Sequence, residues 1–291
     1  MDLQSALTSA ARLLLINIRH IRVQIHPHRI SEVYGHDVRV SCRYCNMRLS
    51  GLAWDKSLFK AFLRALLELG EEILRVKWQL ASRSGLAGGV LQGPTWLRAR
   101  GELVERDAFF HHYRNQIPFR RTGALRMDGV MLDVFQLECA DPEIKVAFVI
   151  AHGWTESSGF LHFATASSTD IDSAALRAAQ EYISLRRYLN VNMESLLARS
   201  ANPTECQKDP SLYHLQACFD ARNIETFRAL VSGEREPSSA RPLIPLAWRM
   251  TRYESPVRGF KFLRAESAVL QKIEFGIPET SENPPLFHPF W

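Results

Sequence analysis

Two glutamate pairs in this sequence have the spacing of a divalent-cation site. Glu68 and Glu71 form the first pair, and Glu102 and Glu105 form the second. Glutamates three residues apart lie on one face of a helix. Carboxylate oxygens suit Mg²⁺, which is usually bound by a few carboxylates together with substrate phosphates. The spacing therefore favours nucleotide chemistry, with all four glutamates as candidate metal ligands.

Both pairs belong to a repeated stretch of sequence. Ser50-Gly51-Leu52-Ala53 precedes the first pair, and Ser84-Gly85-Leu86-Ala87 precedes the second at the same distance. The Ser-Gly steps predict a flexible turn before each pair. Acidic residues at this spacing are also typical of a solvated helix face, but the repetition favours a cation site. Helical arrays need about three repeats to bury a continuous core, so two copies exclude an array.

Composition indicates an ordinary globular protein. The 291 residues are 46% hydrophobic, and the net charge of +5 comes from scattered basic residues. This length can bury one large core or two modest ones. The charge supports weak attraction to an anionic ligand, whereas nucleic-acid binding would need a denser basic patch. We therefore expect no nucleic-acid partner.

The N-terminus and the cysteines predict a cytoplasmic protein without a membrane partner. The apolar run Leu13–Ile16 is too short to cross a bilayer, and no small-residue cleavage site follows it. The five cysteines are sparse and odd in number, as in a reducing compartment. Cys42 and Cys45 form a Cys-x-x-Cys motif without a second close pair. Unligated thiols are therefore the favoured interpretation, and a structural zinc site stays open as the alternative.

Histidines and serines give no further catalytic motif. The histidines His111, His112, His152 and His162 lack metal-ligand spacing with the glutamates, and we interpret them as structural. Residues 153–159 contain no Gly-x-Ser-x-Gly elbow, which makes a serine hydrolase an unfavourable interpretation.

Hydrophobic periodicity predicts a mixture of helices and strands. The predicted helices are 56–78, 94–113 and 172–188, the last with Asp170 or Asp172 as N-cap. The predicted strands are 12–25, 37–41, 131–137, 144–151, 246–250 and 260–264, with short helical stretches in 201–245. The fold class is therefore α+β, and no linker-like composition divides the chain.

Four segments resemble motifs of the YcaO-domain family and occur in the family's order. Residues 82–89 and 101–108 are similar to its Ser-Asn-Gly-x-Ala-x-Gly turn and Glu-x-x-Glu-Arg-Asp helix. Glu68 and Glu71 stand where the family has its first Ser-x-x-Glu-x-x-Glu-Arg motif. Residues 174–186 resemble an Ala-Leu-x-Arg-Ala-Leu-x-Glu-x-x-Gln-x-Arg helix, and residues 270–291 resemble the proline-patterned tail of peptide-modifying members.

The resemblance implies a compact, divergent member with one YcaO-like domain over residues 1–291, built from helices and mixed or antiparallel sheets. Its implied parts are an N-terminal strand region (1–49), a nucleotide-binding core (50–190) and a C-terminal region with a Pro-rich tail (191–291).

The implied activity is ATP- and Mg²⁺-dependent activation of peptide backbone amides. A Cys, Ser or Thr side chain of the peptide adds to the amide carbonyl, ATP phosphorylates the oxyanion, and phosphate leaves to give a thiazoline or oxazoline ring; related members make thioamides or amidines. The implied nucleotide-binding residues are Ser84, Glu68, Glu71, Glu102, Glu105, Arg106, Glu181 and Arg186. The implied catalytic group is the terminal carboxylate of Trp291 beside Pro289, which would assist proton transfer.

The implied partners are a precursor peptide, a separate leader-peptide-binding protein and, as a further candidate, a flavin dehydrogenase; a homodimer stays open. Nothing in the sequence resembles a dedicated leader-binding domain. Ala65, Glu72, Ser84 and Ser184 replace the Ser, Arg, Asn and Gln of the family motifs. Because Glu72 replaces the motif arginine, an alternative stays open. It is a degenerate YcaO-like subunit that binds nucleotide or a partner protein without turnover.

Overall fold

Helices alternate with antiparallel sheets along the chain. The structure is a computed structural model that describes residues 2–30, 33–80, 85–154, 160–202, 210–233 and 246–270. Its contacts define two compact units, unit 1 (Met1–Leu103 with Ala247–Ala268) and unit 2 (Val104–Leu246 with Val269–Trp291). The mixed α and β architecture confirms the predicted fold class.

Unit 1 begins with a helix and a three-stranded antiparallel meander: α1 (Leu3–Leu14), β1 (Arg19–Ile30), β2 (Val33–Tyr44) and β3 (Met47–Asp55). Asp2 caps α1, because its carboxylate accepts the Ser5 N–H at 2.7 Å. The predicted strand from residue 12 was wrong over 12–14, which belong to α1. The alternating apolar pattern continues across a turn at Asn17, where φ is 57°. The single predicted strand therefore combined the end of α1 with the start of β1.

Helix α2 (Leu58–Lys77) packs on β2 and β3. Its buried face includes Phe62, Leu66, Leu69 and Ile73. Gly51 of β3 lies so close to the helix that a Cβ there would be 2.1 Å from the Ala65 carbonyl oxygen. The predicted flexible turn at Ser50 and Gly51 was therefore wrong, since both residues lie inside a strand.

A second sheet of unit 1 has the order β4 (Leu86–Gly89), β10 (Lys261–Glu266), β9 (Arg249–Tyr253). All its ladders are antiparallel. Phe262 of β10 is fully buried, and Cβ atoms built on Gly70 and Gly88 would lie 2.4 and 2.6 Å from its ring. These glycines let α2 and β4 approach that ring. Helix α3 (Gln92–Asn115) follows β4.

Unit 2 contains an antiparallel meander of four strands: β5 (Arg120–Met127), β6 (Val130–Leu137), β7 (Lys145–Ala151) and β8 (Phe163–Ser168). Asp128 and Gly129 join β5 to β6 with φ values of 53° and 74°, as a two-residue hairpin turn requires. The pairing of β6 with β7 confirms the two strands predicted at 131–137 and 144–151.

The described residues of unit 2 form three further helices: α4 (Ile171–Ser200), α5 (Pro210–Ala217) and α6 (Ala221–Ser232). Asp170 is the N-cap of α4, as predicted, and accepts the Ser173 N–H at 2.8 Å. Helix α4 packs on β7 and β8. The core of the unit is a group of stacked and tilted rings that includes Phe109, Phe119, Phe148, Phe163 and Phe227. Within the described residues, no helix has both the length and the apolarity to span a membrane.

Candidate functional site

Glu71, the second glutamate of the first pair, is buried in unit 1 and held by hydrogen bonding. Its Oε1 accepts the backbone N–H of Gly88 in β4 at 2.9 Å. Arg98 of α3 donates from Nη1 to the Gly88 carbonyl oxygen at 2.8 Å and places Nη2 3.6 Å from the Glu71 carboxylate. Only 5% of Glu71 is exposed, so this network orients the carboxylate and also ties α2 to β4.

Glu68 lies one turn earlier on α2 and is half-buried. Its Cβ would be 2.8 Å from a Cβ built on Gly51, so the side chain leaves the helix beside β3. Glu68 and Glu71 are one turn apart on α2, and their action as a pair of metal ligands stays a prediction.

The second pair lies on α3. Glu102 and Glu105 are both half-buried, and they are one turn apart in the helix. Glu105 Oε1 accepts a hydrogen bond of 2.8 Å from the Thr165 hydroxyl of β8. Arg106 follows directly and is only 6% exposed. Residues adjacent in a helix do not face each other, so the assignment of Arg106 to a phosphate stays a prediction.

The donor chemistry of these glutamates fits Mg²⁺. Across the described residues, no group of three or more His, Cys, Asp and Glu side chains is arranged to hold a metal ion. A cation bound by either pair would therefore take two protein carboxylates and complete its coordination with phosphate oxygens or water, as Mg²⁺ commonly does. The metal assignments to Glu68, Glu71, Glu102 and Glu105 stay predictions.

Glu181 and Arg186, the candidates on α4, have different surroundings. Glu181 is exposed on the helix. Arg186 lines a cavity of about 230 Å³ within unit 2, whose wall also includes His152, Trp154, His162, Tyr182 and Asn190. Their assignment to nucleotide binding stays a prediction.

His162 is a buried titratable group at that cavity. Its ring stacks on Tyr182 with centroids 4.1 Å apart and planes 17° apart. Burial, together with the smaller effect of the positive charge of Arg186, lowers the pKa of His162 to about 3. Its Nε2 atom has no hydrogen-bond partner among the described residues.

His112 has a structural role, in agreement with the interpretation from sequence. Its Nε2 accepts the Glu138 N–H at 2.8 Å, so Nδ1 carries the ring proton and donates to the Ile117 carbonyl oxygen at 3.0 Å. Burial lowers the pKa of His112 to about 4. The ring is therefore neutral at pH 7 and fixes two backbone segments.

Three predicted site residues, Ser84, Pro289 and Trp291, lie outside the described residues, and their roles stay predictions. Conversely, Gly88, Arg98 and Thr165 contact the glutamates without having been predicted. Residues 86–89 form a short strand that lacked a strand pattern, and Thr165 lies in β8, which was also missed. Only the fold brings these residues to the carboxylates.

Comparison with known proteins identifies the fold. No protein-family model matches the chain, and no curated protein sequence matches it. A chain of the E. coli microcin synthetase McbBCD complex superposes with a TM-score of 0.50 at 7% identity, covering 84% of this chain and 87% of that one. YcaO from Methanopyrus kandleri, bound with AMPPCP and Mg²⁺, matches with a TM-score of 0.43 at 13% identity, covering 63% and 65%. The fold is YcaO-like.

This YcaO-like fold confirms the family resemblance at the level of architecture. The heterocyclase TruD matches with a TM-score of 0.43 at 14% identity over 66% of this chain. The chain spans about 65% of the M. kandleri protein and about 30% of TruD. At such identities the likeness concerns the fold alone, so residue roles depend on the geometry described above.

Proposed function

We propose that this protein uses ATP and Mg²⁺ to activate backbone amides of a ribosomally made peptide and forms azoline rings in it. One observation supports the proposal above all. The YcaO-like fold carries both Glu-x-x-Glu pairs on helices that directly follow strands, β3 before α2 and β4 before α3. In each pair, the second glutamate is oriented by a hydrogen bond from a neighbouring element.

We assign Glu68, Glu71, Glu102 and Glu105 as Mg²⁺ ligands. A carboxylate has about four acceptor positions, so the hydrogen bond that Glu71 or Glu105 accepts orients the group without occupying every position. Arg106 would neutralise phosphate charge with its planar fork. Ser84, Glu181 and Arg186 are the remaining nucleotide-binding candidates.

The proposed reaction requires these residues mainly for charge neutralisation. Bound ATP with Mg²⁺ supplies the phosphoryl group that turns the amide oxygen into a leaving group. Such transfer needs positioning and electrostatic stabilisation more than covalent help from the protein. We assign proton transfer to the Trp291 carboxylate, positioned by the tail that includes Pro289.

The proposed partners are a precursor peptide, a leader-peptide-binding protein and a flavin dehydrogenase. Similar chains support this proposal, because the microcin synthetase chain belongs to a multiprotein complex that has also been solved with pro-MccB17 bound. We place the reaction in the cytoplasm, where the sparse cysteines would stay reduced.

The alternative is a subunit that binds nucleotide without turnover. Glu72, which replaces the motif arginine, forms an ion pair with Arg75 in the same helix, with Nε 2.9 Å from Oε2. This position therefore holds a carboxylate engaged with its own helix where the family motif supplies a cation. We favour the enzyme, because Glu102, Glu105 and Arg106 match their motif.

Calorimetry of Mg²⁺-ATP binding and turnover with peptide test the proposal together. Glu102→Gln and Glu105→Gln should each abolish Mg²⁺-dependent nucleotide binding, since each removes a charge at nearly constant shape. Arg106→Lys should weaken binding by roughly 1 to 3 kcal/mol through loss of the bidentate fork. Glu194→Gln, at an exposed position of α4, is the matched control and should leave affinity unchanged.

Turnover separates the enzyme from the alternative. With ATP, a Cys- or Ser-containing precursor peptide and a leader-binding partner, the enzyme should release phosphate and remove one water from the peptide per ring. Nucleotide binding without phosphate release under these conditions would support the non-catalytic subunit. Unchanged ATP affinity in both glutamate variants would refute the metal-site assignment itself.

A further inference from the structure

The outer face of the sheet formed by β1, β2 and β3 collects arginine side chains that are scattered in the sequence. The inner face packs on α2 and buries residues such as Val23, Val40 and Leu49. Side chains alternate between the two faces of a sheet, so the register places five arginines together on the outer face: Arg19, Arg22, Arg39, Arg43 and Arg48. All are exposed except Arg39, which is half-buried. This outer surface is named the arginine face below.

Three of these arginines form a row across the strands. Arg43 of β2 is paired with Arg19 of β1 and with Arg48 of β3, and neighbouring strands are about 4.8 Å apart. Like charges directly opposite each other destabilise a sheet. In the part of the chain that the structure describes, none of the five arginine side chains forms an ion pair. The arginine face therefore has an excess of positive charge, which an anionic partner would neutralise.

The other rows of the arginine face favour a polypeptide as that partner. Successive rows are about 7 Å apart; the second contains Arg22 and Ser50, the third Arg39 and Leu52, and the fourth Trp54. Leu52 is 48% exposed, so apolar surface replaces charge along the strands. Every second side chain of an extended peptide points to the same side, also at intervals of about 7 Å. Alternating acidic residues followed by an apolar one would match this order.

A single-stranded nucleic acid matches the arginine face less closely. Proteins bind such strands by stacking successive bases on aromatic side chains along a basic groove. The described rings of the arginine face, Trp54 and His26, lie in one row at its end. Asp37 lies between them in the same row, and its carboxylate would repel a phosphate backbone.

We propose that the arginine face binds an extended acidic segment of a polypeptide. The carboxylates of alternate residues pair with the arginines, and a following apolar side chain lies against Leu52 and Trp54. An arginine can bind a carboxylate through two parallel hydrogen bonds. The arginine face lies within unit 1 and includes none of the residues assigned to nucleotide, metal or proton transfer. The inference therefore goes beyond the proposed function and does not rest on it.

The test uses the peptide acetyl-Glu-Ser-Glu-Ser-Glu-Ser-Leu-amide, which places three carboxylates and one apolar side chain at alternate positions. Its counterpart with glutamine in place of each glutamate has the same shape without charge. Titration of the whole protein labelled with ¹⁵N-arginine, without ATP or Mg²⁺, reports on the arginine Nε–H resonances. At low ionic strength we expect a saturable shift of the resonances of the five arginines, at least about tenfold weaker binding of the glutamine peptide, and weaker binding as salt is added.

Substitutions locate the binding site. Arg22→Gln and Arg43→Gln should each weaken binding by about two- to fivefold, as expected for solvated ion pairs. Replacing Arg19, Arg43 and Arg48 together with glutamine should weaken it by at least about tenfold. Arg252→Gln removes an exposed arginine from β9, in the other sheet of unit 1, and should leave the affinity unchanged. Arg43→Gln also relieves repulsion within its row, so the urea midpoint should stay the same or rise.

Charge reversal distinguishes binding from a structural effect. The double variant Arg43→Glu with Arg48→Glu should lose the acidic peptide and gain affinity for the lysine counterpart of that peptide, which the parent protein should not bind. A variant that had merely lost its structure would bind neither peptide.

Three outcomes would overturn the proposal: equal affinity for the acidic peptide and its glutamine counterpart, unchanged affinity in the triple glutamine variant, or tighter binding of octauridylate RNA with the same dependence on the five arginines. The last outcome would assign the arginine face to nucleic acid. Peptide binding is measured without ATP or Mg²⁺, so its failure is distinct from failure of the proposed function.

Discussion

The second glutamates of the two pairs have the same place in the repeated sequence but different surroundings. Glu71 is buried in unit 1 and held by a backbone N–H and a nearby guanidinium. Glu105 in unit 2 is half-buried and held by a hydroxyl. Removing a partner from a buried charge costs more than removing one from a partly solvated charge. Glu71 therefore carries more of the stability, and Glu105 can change with less effect on the fold.

The glycines at the start of the two copies of the repeated sequence, Gly51 and Gly85, also have different surroundings. Gly51 lies within β3, where α2 leaves no space for a side chain. Gly85 has a φ of 74°, and its carbonyl oxygen accepts the Ala265 N–H at 2.8 Å. Both glycines are required for close packing, because a Cβ on Gly85 would lie 2.5 Å from the Ala265 carbonyl oxygen. Gly85 is required in addition for a left-handed backbone conformation. Equal spacing in sequence thus arises from structural needs that coincide only in part.

The largest predicted contrast between the units is their response to acid. Unit 2 buries His112 and His162 as neutral rings, with pKa values lowered from 6.5 to about 4 and about 3. The unfolded chain takes up these protons more readily, so stability is full above about pH 6.5 and falls as the pH drops towards 4. The loss should reach on the order of 3 kcal/mol for His112 alone.

Urea unfolding at several pH values measures this loss, and hydrogen exchange locates it in unit 2. His112→Gln can keep both hydrogen bonds without titrating, so its stability should depend less on pH. His26→Gln, at an exposed position of unit 1, is the control and should follow the parent protein. A pH dependence that is equal in all three proteins would contradict the assignment.

The next prediction compares the change in stability when a methyl group is added at a glycine of β3 and at a glycine of α3. Gly51→Ala should destabilise the protein by about 3 kcal/mol, because the new methyl group meets helix backbone that cannot move aside. Gly93→Ala in α3 is the control, since nothing lies within 4 Å of its added Cβ. We expect it to be neutral or stabilising by up to about 1 kcal/mol. Similar losses in both variants would mean that α2 does not approach β3 so closely.

Sequence reasoning succeeded where local periodicity and burial agree. Helix α2 has apolar residues at helical spacing and a Ser57 cap, and α4 has the predicted Asp170 cap. Strand β7 is a continuous apolar run after Lys145, and β6 is apolar except at Asp133 and Gln136. The family resemblance added the YcaO-like architecture, which no local pattern specifies.

The strands and side-chain contacts that the sequence did not predict depend on pairing between residues that are distant in sequence. Strand β4 contains two glycines and becomes a strand because it pairs with β10, about 175 residues later. Strand β3 contains the Ser-Gly step that is typical of a turn, yet pairing with β2 and packing under α2 decide its conformation. The donors to Glu71 and Glu105 follow from these placements, so the residues alone did not reveal them.

The third prediction compares truncation of the second glutamate of each pair, Glu71 and Glu105. Glu71→Ala removes the acceptor of the buried Gly88 N–H and should cost about 1 to 3 kcal/mol. Glu71→Gln keeps an acceptor oxygen and should cost less. Glu105→Ala should cost less than Glu71→Ala, because water can reach its half-buried site. Chemical denaturation of the three variants checks the order, and a larger loss for Glu105→Ala would reverse the comparison.

The smallest effect on stability is expected from Thr165→Val, which removes the hydroxyl donor to Glu105 at nearly constant shape. Water can replace the donor on the half-buried carboxylate, so the cost should stay below about 1 kcal/mol. If Glu105 binds Mg²⁺, losing a group that orients a ligand should still weaken metal affinity by about 10- to 100-fold. Calorimetry of Mg²⁺-ATP binding, beside urea unfolding of the same variant, separates the two effects. Weakened binding with stability retained would assign Thr165 to positioning the metal ligand. Lost stability with unchanged nucleotide affinity would show that this hydrogen bond only joins α3 to β8 and does not position a metal ligand.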